Sequence, residues 1–191
     1  MRLVRVAAAT ATAVVLLAGC SDGGTANETL PSTSSTAAET TESLPPLGPP
    51  DLPMPDEARQ QTPAGAEAFL QYFIQLMNAA QEQATSEYVR SLSLQCATCD
   101  TFADGVDNYA KLQYRYDGGE IVLGSVSAPS ITGGNAEFAL ALVQDRLSVI
   151  GPDGSPIADL VSEAANYPAS GAIVTWDSAR ETWLMTTLTI A

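Results

Sequence analysis

The fold of this chain depends first on the stretch TPAGAEAFLQYFIQLM at residues 62–77. Thr62 is a typical N-cap, and Pro63 suits the first helical position, where its missing N–H costs nothing. Apolar residues then recur at steps of three and four, namely Ala66, Phe69, Leu70, Phe73, Met77 and Ala80. We therefore predict an amphipathic helix that extends to about Gln83 and buries one face in a core.

Two shorter helices are predicted after this one. The capping pair Thr85-Ser86 opens a short helix that ends near Leu94. A third helix is expected over residues 100–112, because its apolar residues fall on one face and its polar residues on the other. The polar face carries Asp100, Asp104, Asp107 and Lys111. We interpret it as a solvated face with an Asp107 to Lys111 pair, rather than as a cation site.

Beyond Gln113 the period of the apolar residues changes to two, and Gly-rich or Pro-rich breaks separate the segments. Strands are predicted at 120–127, 136–150, 171–176 and 181–190, and the last two form a hairpin. The segment 156–166 fits either a strand or a helical turn. The predicted class is α+β, with three N-terminal helices packed on a curved antiparallel sheet of four to six strands.

The N-terminus has the features of an export signal. Arg2 and Arg5 precede an uncharged run at residues 6–17, which is shorter than the roughly 20 apolar residues that span a bilayer. The run closes with Leu17-Ala18-Gly19-Cys20, which resembles the lipobox of bacterial lipoproteins. The resemblance implies that residues 1–19 are a signal peptide and that Cys20 is lipidated. The alternative is an ordinary signal in which Cys20 is incidental.

The lipid would hold the protein on the outer face of the cytoplasmic membrane, in the cell envelope. After Cys20 the chain is rich in Ser, Thr, Pro, Gly and Glu. Such a composition cannot bury enough apolar surface to fold. We therefore predict that residues 20–61 form a lipidated, disordered tether, and that residues 62–191 form the domain. The main interpretation is a plain spacer, and wall spanning or sugar attachment is the alternative.

The composition excludes several classes of function. The formal net charge is −14, with 8 basic and 22 acidic residues, so nucleic acid is not an expected partner and a basic partner is favoured. The chain has no histidine. Catalysis by Ser-His-Asp or Cys-His groups and imidazole metal sites are therefore excluded. We expect neither a cofactor nor a metal.

The motif Cys96-Ala97-Thr98-Cys99 leaves three alternatives. We favour a structural disulfide, because thiols of an exported chain tend to oxidise. A redox dithiol is the second alternative, although thioredoxin-type pairs follow a strand and here a helix precedes the pair. A zinc site needs about four ligands and would have to recruit carboxylates.

The order of helices and strands, with Trp176 and Trp183 in the closing strand pair, resembles the NTF2-like cone fold. More narrowly, residues 55–102 resemble a family of uncharacterised actinobacterial surface lipoproteins. The matching motifs are Thr62-Pro63-Ala64-Gly65-Ala66-Glu67-Ala68-Phe69, Leu92-Ser93 and the cysteine pair. The resemblance implies an envelope lipoprotein with one NTF2-like domain, and it carries no established activity. No short motif here matches the active sites of NTF2-like enzymes.

Three functions remain open for the domain. The leading hypothesis is a non-catalytic binding domain for a small apolar ligand or an envelope protein, with Trp176 and Trp183 as candidate contacts. The alternative is that both tryptophans fill the core and contact no ligand. The second hypothesis is an enzyme that uses Asp/Tyr proton transfer, for which Tyr72, Tyr109 and Tyr114 are candidates. The third is a structural envelope component. A buried carboxylate facing a tyrosine would favour the enzyme, and an apolar void would favour a ligand.

Overall fold

The computed structural model describes residues 45–191, so Cys20, the signal peptide and most of the predicted tether lie outside the described residues. Three α-helices precede antiparallel strands, which confirms the mixed α+β class. Within residues 45–191 the strands number eight and form a three-stranded and a five-stranded sheet, so the prediction of one sheet with four to six strands was wrong. Within the described residues, no helix is long and apolar enough to cross a membrane.

The first helix, α1 (Pro63–Gln83), begins and ends as predicted. The Oγ1 of Thr62 accepts a hydrogen bond from the Gly65 N–H at 2.9 Å, and Ala84 ends the helix in the left-handed conformation. The second helix, α2 (Glu87–Ser91), is one and a half turns long. The third, α3 (Ala97–Lys111), starts three residues before the predicted position, because Cys96 serves as its N-cap.

The strands follow in chain order as β1 (Arg115–Gly118), β2 (Ile121–Val126), β3 (Ser130–Thr132), β4 (Asn135–Gln144), β5 (Leu147–Ile150), β6 (Pro156–Ser162), β7 (Ala165–Asp177) and β8 (Thr182–Thr189). The larger sheet has the order β2-β4-β7-β8, with β3 also on β4, and the smaller has the order β1-β5-β6. The ambiguous segment 156–166 is therefore a strand, β6, followed by the start of β7. The final hairpin is confirmed as β7 and β8.

The strands form two sheets because three neighbouring backbone segments of the chain are interrupted side by side. The breaks fall between β1 and β2, between β4 and β5, and between β6 and β7. Gly118 and Gly119 have φ angles of 73° and 81°, which favour glycine, and a Cβ on Gly118 would collide with the Arg146 carbonyl oxygen. The Gly119 N–H still donates to that oxygen at 3.0 Å. This hydrogen bond keeps the two strands adjacent at the break between the two sheets.

The core lies between α1 and one face of the larger sheet. Phe69, Phe73 and Met77 of α1 are at most 1% exposed. They belong to one cluster with the inward side chains of β4, which are Ala136, Phe138, Leu140 and Leu142. This alternation in β4 is the predicted one. A helix that buries a continuous apolar stripe on a sheet accounts for the layered fold.

Residues 45–61 depart from the prediction of a disordered tether, because they pack on the domain. Met54 is 7% exposed, and Ala58, in a short 3-10 helix (Asp56–Arg59), is fully buried. The Met54 N–H donates to the Leu47 carbonyl at 2.8 Å. Arg59 donates to the backbone oxygens of Pro45, Arg180 and Glu181 at 2.6, 3.0 and 3.3 Å. The folded domain therefore begins well before residue 62.

Candidate functional site

Two cavities lie near the C-terminal end of α1, where the sheet bends. The first, which we call the apolar cavity, has a volume of about 150 Å³. Its apolar wall consists of Met77, Phe102, Ile121, Leu142 and Ile190. It therefore lies between α1, α3 and residues of β2, β4 and β7.

Four polar side chains complete the wall of the apolar cavity, namely Gln81, Thr98, Gln144 and Tyr167. The Tyr167 hydroxyl donates to Oε1 of Gln144 at 3.4 Å, so the two groups lie next to each other in the wall. Gln81 is only 8% exposed. All four groups are neutral hydrogen-bonding groups, so the wall of this cavity is largely apolar and carries no charge.

The second cavity, which we call the polar cavity, has a volume of about 280 Å³. It shares Gln81 with the apolar cavity and is otherwise lined by Asn78, Glu82, Tyr116, Gly118 and Glu120. The Asn78 side chain donates to the Ile121 carbonyl at 2.8 Å and accepts from the Ile121 N–H at 2.9 Å. This pair of bonds attaches the start of β2 to α1 beside the cavity.

Tyr116 contributes a half-buried phenol to the polar cavity. Its ring packs on Tyr109 at a centroid distance of 5.4 Å, and Tyr109 also packs on Tyr114 at 6.0 Å. Burial, with a smaller contribution from Tyr109, raises the pKa of Tyr116 to about 12. The hydroxyl therefore stays protonated at neutral pH, and it serves as a hydrogen-bonding group rather than as a base.

The tyrosines proposed for proton transfer do not meet a buried carboxylate. The Tyr72 hydroxyl donates to the Leu52 carbonyl at 3.0 Å, and burial raises its pKa to about 12. Tyr109 and Tyr114 form the cluster with Tyr116 described above. In residues 45–191 the buried polar side chains are Gln81, Ser86, Ser170 and Thr182, a set without a carboxylate.

The two tryptophans lie away from both cavities. Trp183 is 1% exposed, and its Nε1 donates to the Gln60 carbonyl at 2.9 Å. Trp176 is half-buried and packs edge-on against Trp183 at 5.3 Å. Trp183 is therefore a core residue, which agrees with the alternative that the tryptophans fill the core. Its indole N–H is already bonded within the protein.

Cys96 and Cys99 form the predicted disulfide. Both are 1% exposed, and the Cys96 Sγ accepts a hydrogen bond from the Cys99 N–H at 3.3 Å. The pair thus forms the first turn of α3, and Thr98, which lies between the cysteines, lines the apolar cavity. The disulfide therefore positions one wall of that cavity.

The acidic face of α3 is bonded differently from the prediction. Arg90 of α2 contacts Asp104 at 2.7 Å and Asp107 at 2.8 Å. The Ser86 hydroxyl also donates to Asp107 at 2.7 Å. These contacts, with Ser86 first and Arg90 second, hold the pKa of Asp107 below its usual value. Asp107 is thus bonded to α2 instead of to Lys111, and the network joins two helices.

The residues of the polar cavity were not predicted from the sequence pattern. One signal was present in the pattern, because Gln81 follows Met77 by four residues and so places a polar group on the buried stripe of α1. Tyr116 and Glu120 carried no such signal, since each lies in a strand pattern that alternates between faces. Only the fold brings them to the end of α1.

No family model and no curated protein matches the chain. Among solved structures, the intermembrane space region of the chloroplast protein ARC6 is similar with a TM-score of 0.48 and 15% identity, over 69% of this chain and 99% of that one. An uncharacterised protein with a cystatin-like fold from Caulobacter vibrioides is similar with a TM-score of 0.40 and 16% identity, over 64% of this chain and 87% of that one. Neither similarity bears on activity.

Proposed function

We propose that the chain is a lipid-anchored protein of the bacterial cell envelope, whose NTF2-like domain binds a small apolar group without catalysis. The observation that carries this proposal is the apolar cavity, with Met77, Ile121 and Leu142 and the bonded pair Gln144 and Tyr167 in its wall. An apolar recess with a few polar groups at its edge is the usual form of a ligand site.

The size of the cavity limits what it holds. A volume of about 150 Å³ is similar to that of an engineered apolar cavity that takes benzene or xenon, and it is smaller than sites for drug-sized ligands. The occupant is therefore a small apolar ligand, or one apolar side chain of an envelope protein. A polar group next to that apolar part would bond to the Gln144 amide or the Tyr167 hydroxyl.

The Asp/Tyr enzyme has less support than the binding domain. Its carboxylate would have to come from Glu82 or Glu120, because these flank Tyr116 in the polar cavity. Both are exposed side chains, and the high pKa of Tyr116 makes its hydroxyl a poor base. Turnover of a small molecule that one substitution at Tyr116 abolishes would favour the enzyme over the binding domain.

Binding of benzene to the full-length protein tests the apolar cavity. We expect saturable changes in the methyl NMR signals of Met77, Ile121 and Leu142. The Thr98→Phe variant should abolish these signal changes, because the introduced phenyl ring occupies the cavity. The matched control is Thr101→Phe, one turn later on α3, where the exposed side chain does not line this cavity. Equal binding by wild type and Thr98→Phe would contradict the proposal.

The lipid anchor is tested separately, since Cys20 lies outside the described residues. The Cys20→Ala variant should move from the detergent phase to the aqueous phase in a Triton X-114 partition, because it lacks the acyl chains. Ser21→Ala, the neighbouring substitution, should remain in the detergent phase. If Cys20→Ala also stays in the detergent phase, the lipobox assignment is wrong.

A further inference from the structure

We propose that the apolar cavity selects uncharged ligands that carry a carbonyl oxygen, and that the side-chain amide of Gln144 donates a hydrogen bond to that oxygen. The inference rests on the proposed function, because it concerns the same cavity. It goes further by naming the class of ligand and the residue that recognises its polar group. A short-chain ketone is the simplest member of this class.

The half-buried side chain of Gln144 has one end bonded within the protein and the other end accessible. Its Oε1 accepts from the Tyr167 hydroxyl at 3.4 Å, and both side chains lie in the cavity wall. Its Nε2 forms no hydrogen bond within residues 45–191, where no buried side-chain nitrogen or oxygen lacks a partner. This nitrogen is therefore not buried, and its N–H groups are able to donate to a ligand.

The other polar groups of the wall are compatible with an acceptor on the ligand. The Thr98 hydroxyl and the Gln81 amide can each donate or accept, whereas Gln144 has its acceptor oxygen already bonded to Tyr167. A ligand that fills the cavity keeps water away from these groups, so it must replace the hydrogen bonds that water would make. A purely apolar ligand cannot do so, and a ligand with an acceptor oxygen can.

The charge of the surroundings excludes ions from this class. None of the side chains that line the apolar cavity is charged, so an ion inside it would lose its hydration without gaining a charged partner. The chain also has a formal net charge of −14, and its field repels anions. A carboxylate is therefore a poor ligand, although it has acceptor oxygens. A ketone offers the same acceptor without the cost of burying a charge.

The first test compares 2-pentanone with butanoate, which has nearly the same shape and carries a negative charge. Both are titrated into the full-length protein, and binding is followed by the methyl NMR signals of Met77, Ile121 and Leu142. We expect 2-pentanone to shift these signals saturably and to bind at least about tenfold more tightly than butanoate. Equal binding of the two probes would overturn the selection for uncharged ligands.

The second test removes the donor. Gln144→Met keeps the length of the side chain, and it should weaken 2-pentanone binding about fivefold while leaving benzene binding within about twofold of wild type. Gln144→Glu retains the acceptor for Tyr167 but has no N–H at neutral pH, so it should also weaken 2-pentanone binding. The matched control is Gln75→Met, at an exposed position of α1 outside the cavity wall, which should bind both probes like wild type.

Failure of this inference can be distinguished from failure of the proposed function. If neither benzene nor 2-pentanone binds the wild-type protein, the cavity is not a ligand site and both proposals are wrong. If benzene binds, and Gln144→Met changes the affinities for benzene and 2-pentanone by the same factor, the proposed function stands and Gln144 is not the donor. A selective loss of 2-pentanone binding in Gln144→Met supports the inference.

Discussion

The two ends of α1 lie in different surroundings. At the N-terminal end, which we call the closed end, Phe69 and Phe73 are fully buried and Trp183 lies beneath the segment Pro45 to Gln60. At the C-terminal end, the open end, Gln81 faces two cavities. Residues 45–60 contact both ends, because Gln83, the last residue of α1, donates to Asp51 at 2.8 Å. The difference lies on the side of α1 that faces the strands: Trp183 fills the space at the closed end, while two cavities remain at the open end, next to Gly118. We therefore expect substitutions at the closed end to reduce stability more than those at the open end, where the proposed ligand site lies.

Phe73→Ala is expected to give the largest loss of stability. Phe73 is fully buried in the core cluster, and deleting a buried phenylalanine ring costs about 3 to 5 kcal/mol of the free energy of unfolding. Urea denaturation of the purified protein measures the change.

The matched substitution at the open end is Phe102→Ala, which removes the same ring from a half-buried position beside the apolar cavity. It should cost about half as much, since the ring is already partly in contact with water. Equal losses for Phe73→Ala and Phe102→Ala would remove the distinction between the two ends.

Met54→Ala is expected to give the second largest effect. Met54 is 7% exposed in the segment that covers the closed end, so its loss should cost about 2 kcal/mol. Glu57→Ala, in the adjoining 3-10 helix, is the exposed control and should change stability by less than about 0.5 kcal/mol. If the Met54→Ala variant is as stable as this control, residues 45–61 do not stabilise the domain and act only as a tether.

Asp107→Asn should have the smallest effect on stability, because Asp107 lies on α3 and belongs to neither end of α1. The Asp107 side chain is 35% exposed and Arg90 is 38% exposed, so solvent screens the pair and the loss should stay below about 1 kcal/mol. The lowered pKa means that this stabilisation is present above about pH 4 and is lost as the pH falls through the folded-state pKa.

Thermal unfolding between pH 2 and pH 7 measures this dependence. The wild-type protein and Asp107→Asn should differ near neutral pH and converge at the acidic limit. Glu137→Gln, on an exposed position of β4, should follow the wild-type curve. A constant difference between wild type and Asp107→Asn at every pH would contradict the proposed ionic contribution.

Local sequence signals predicted the helices well. The Thr62 cap and Pro63 set the start of α1 through contacts within one turn, so no distant residue was needed to find it. The start of α3 was placed three residues late, because the Cys96 Sγ took the capping role that a Ser or Asp usually fills. The alternation in β4 likewise predicted its buried face.

Features that depend on distant residues were not visible in the sequence. The run at 136–150 reads as one strand, and its break at Asp145-Arg146 follows from the glycines across the sheet. Residues 45–61 have the composition of a linker, and their order depends on contacts with the final hairpin. The polar cavity joins Gln81 to Glu120 only through the fold, although Gln81 itself interrupts a visible stripe.

The contacts of Arg59 also determine when the chain can finish folding. Its guanidinium bonds to Arg180, 121 residues later, and Gln60 bonds to Trp183, 123 residues later. Contacts of such separation form late, because a long loop must close before they contribute. During synthesis the segment before α1 is made earlier than the strand pair β7 and β8 that it contacts. The closed end can therefore fold completely only when almost the whole chain is present.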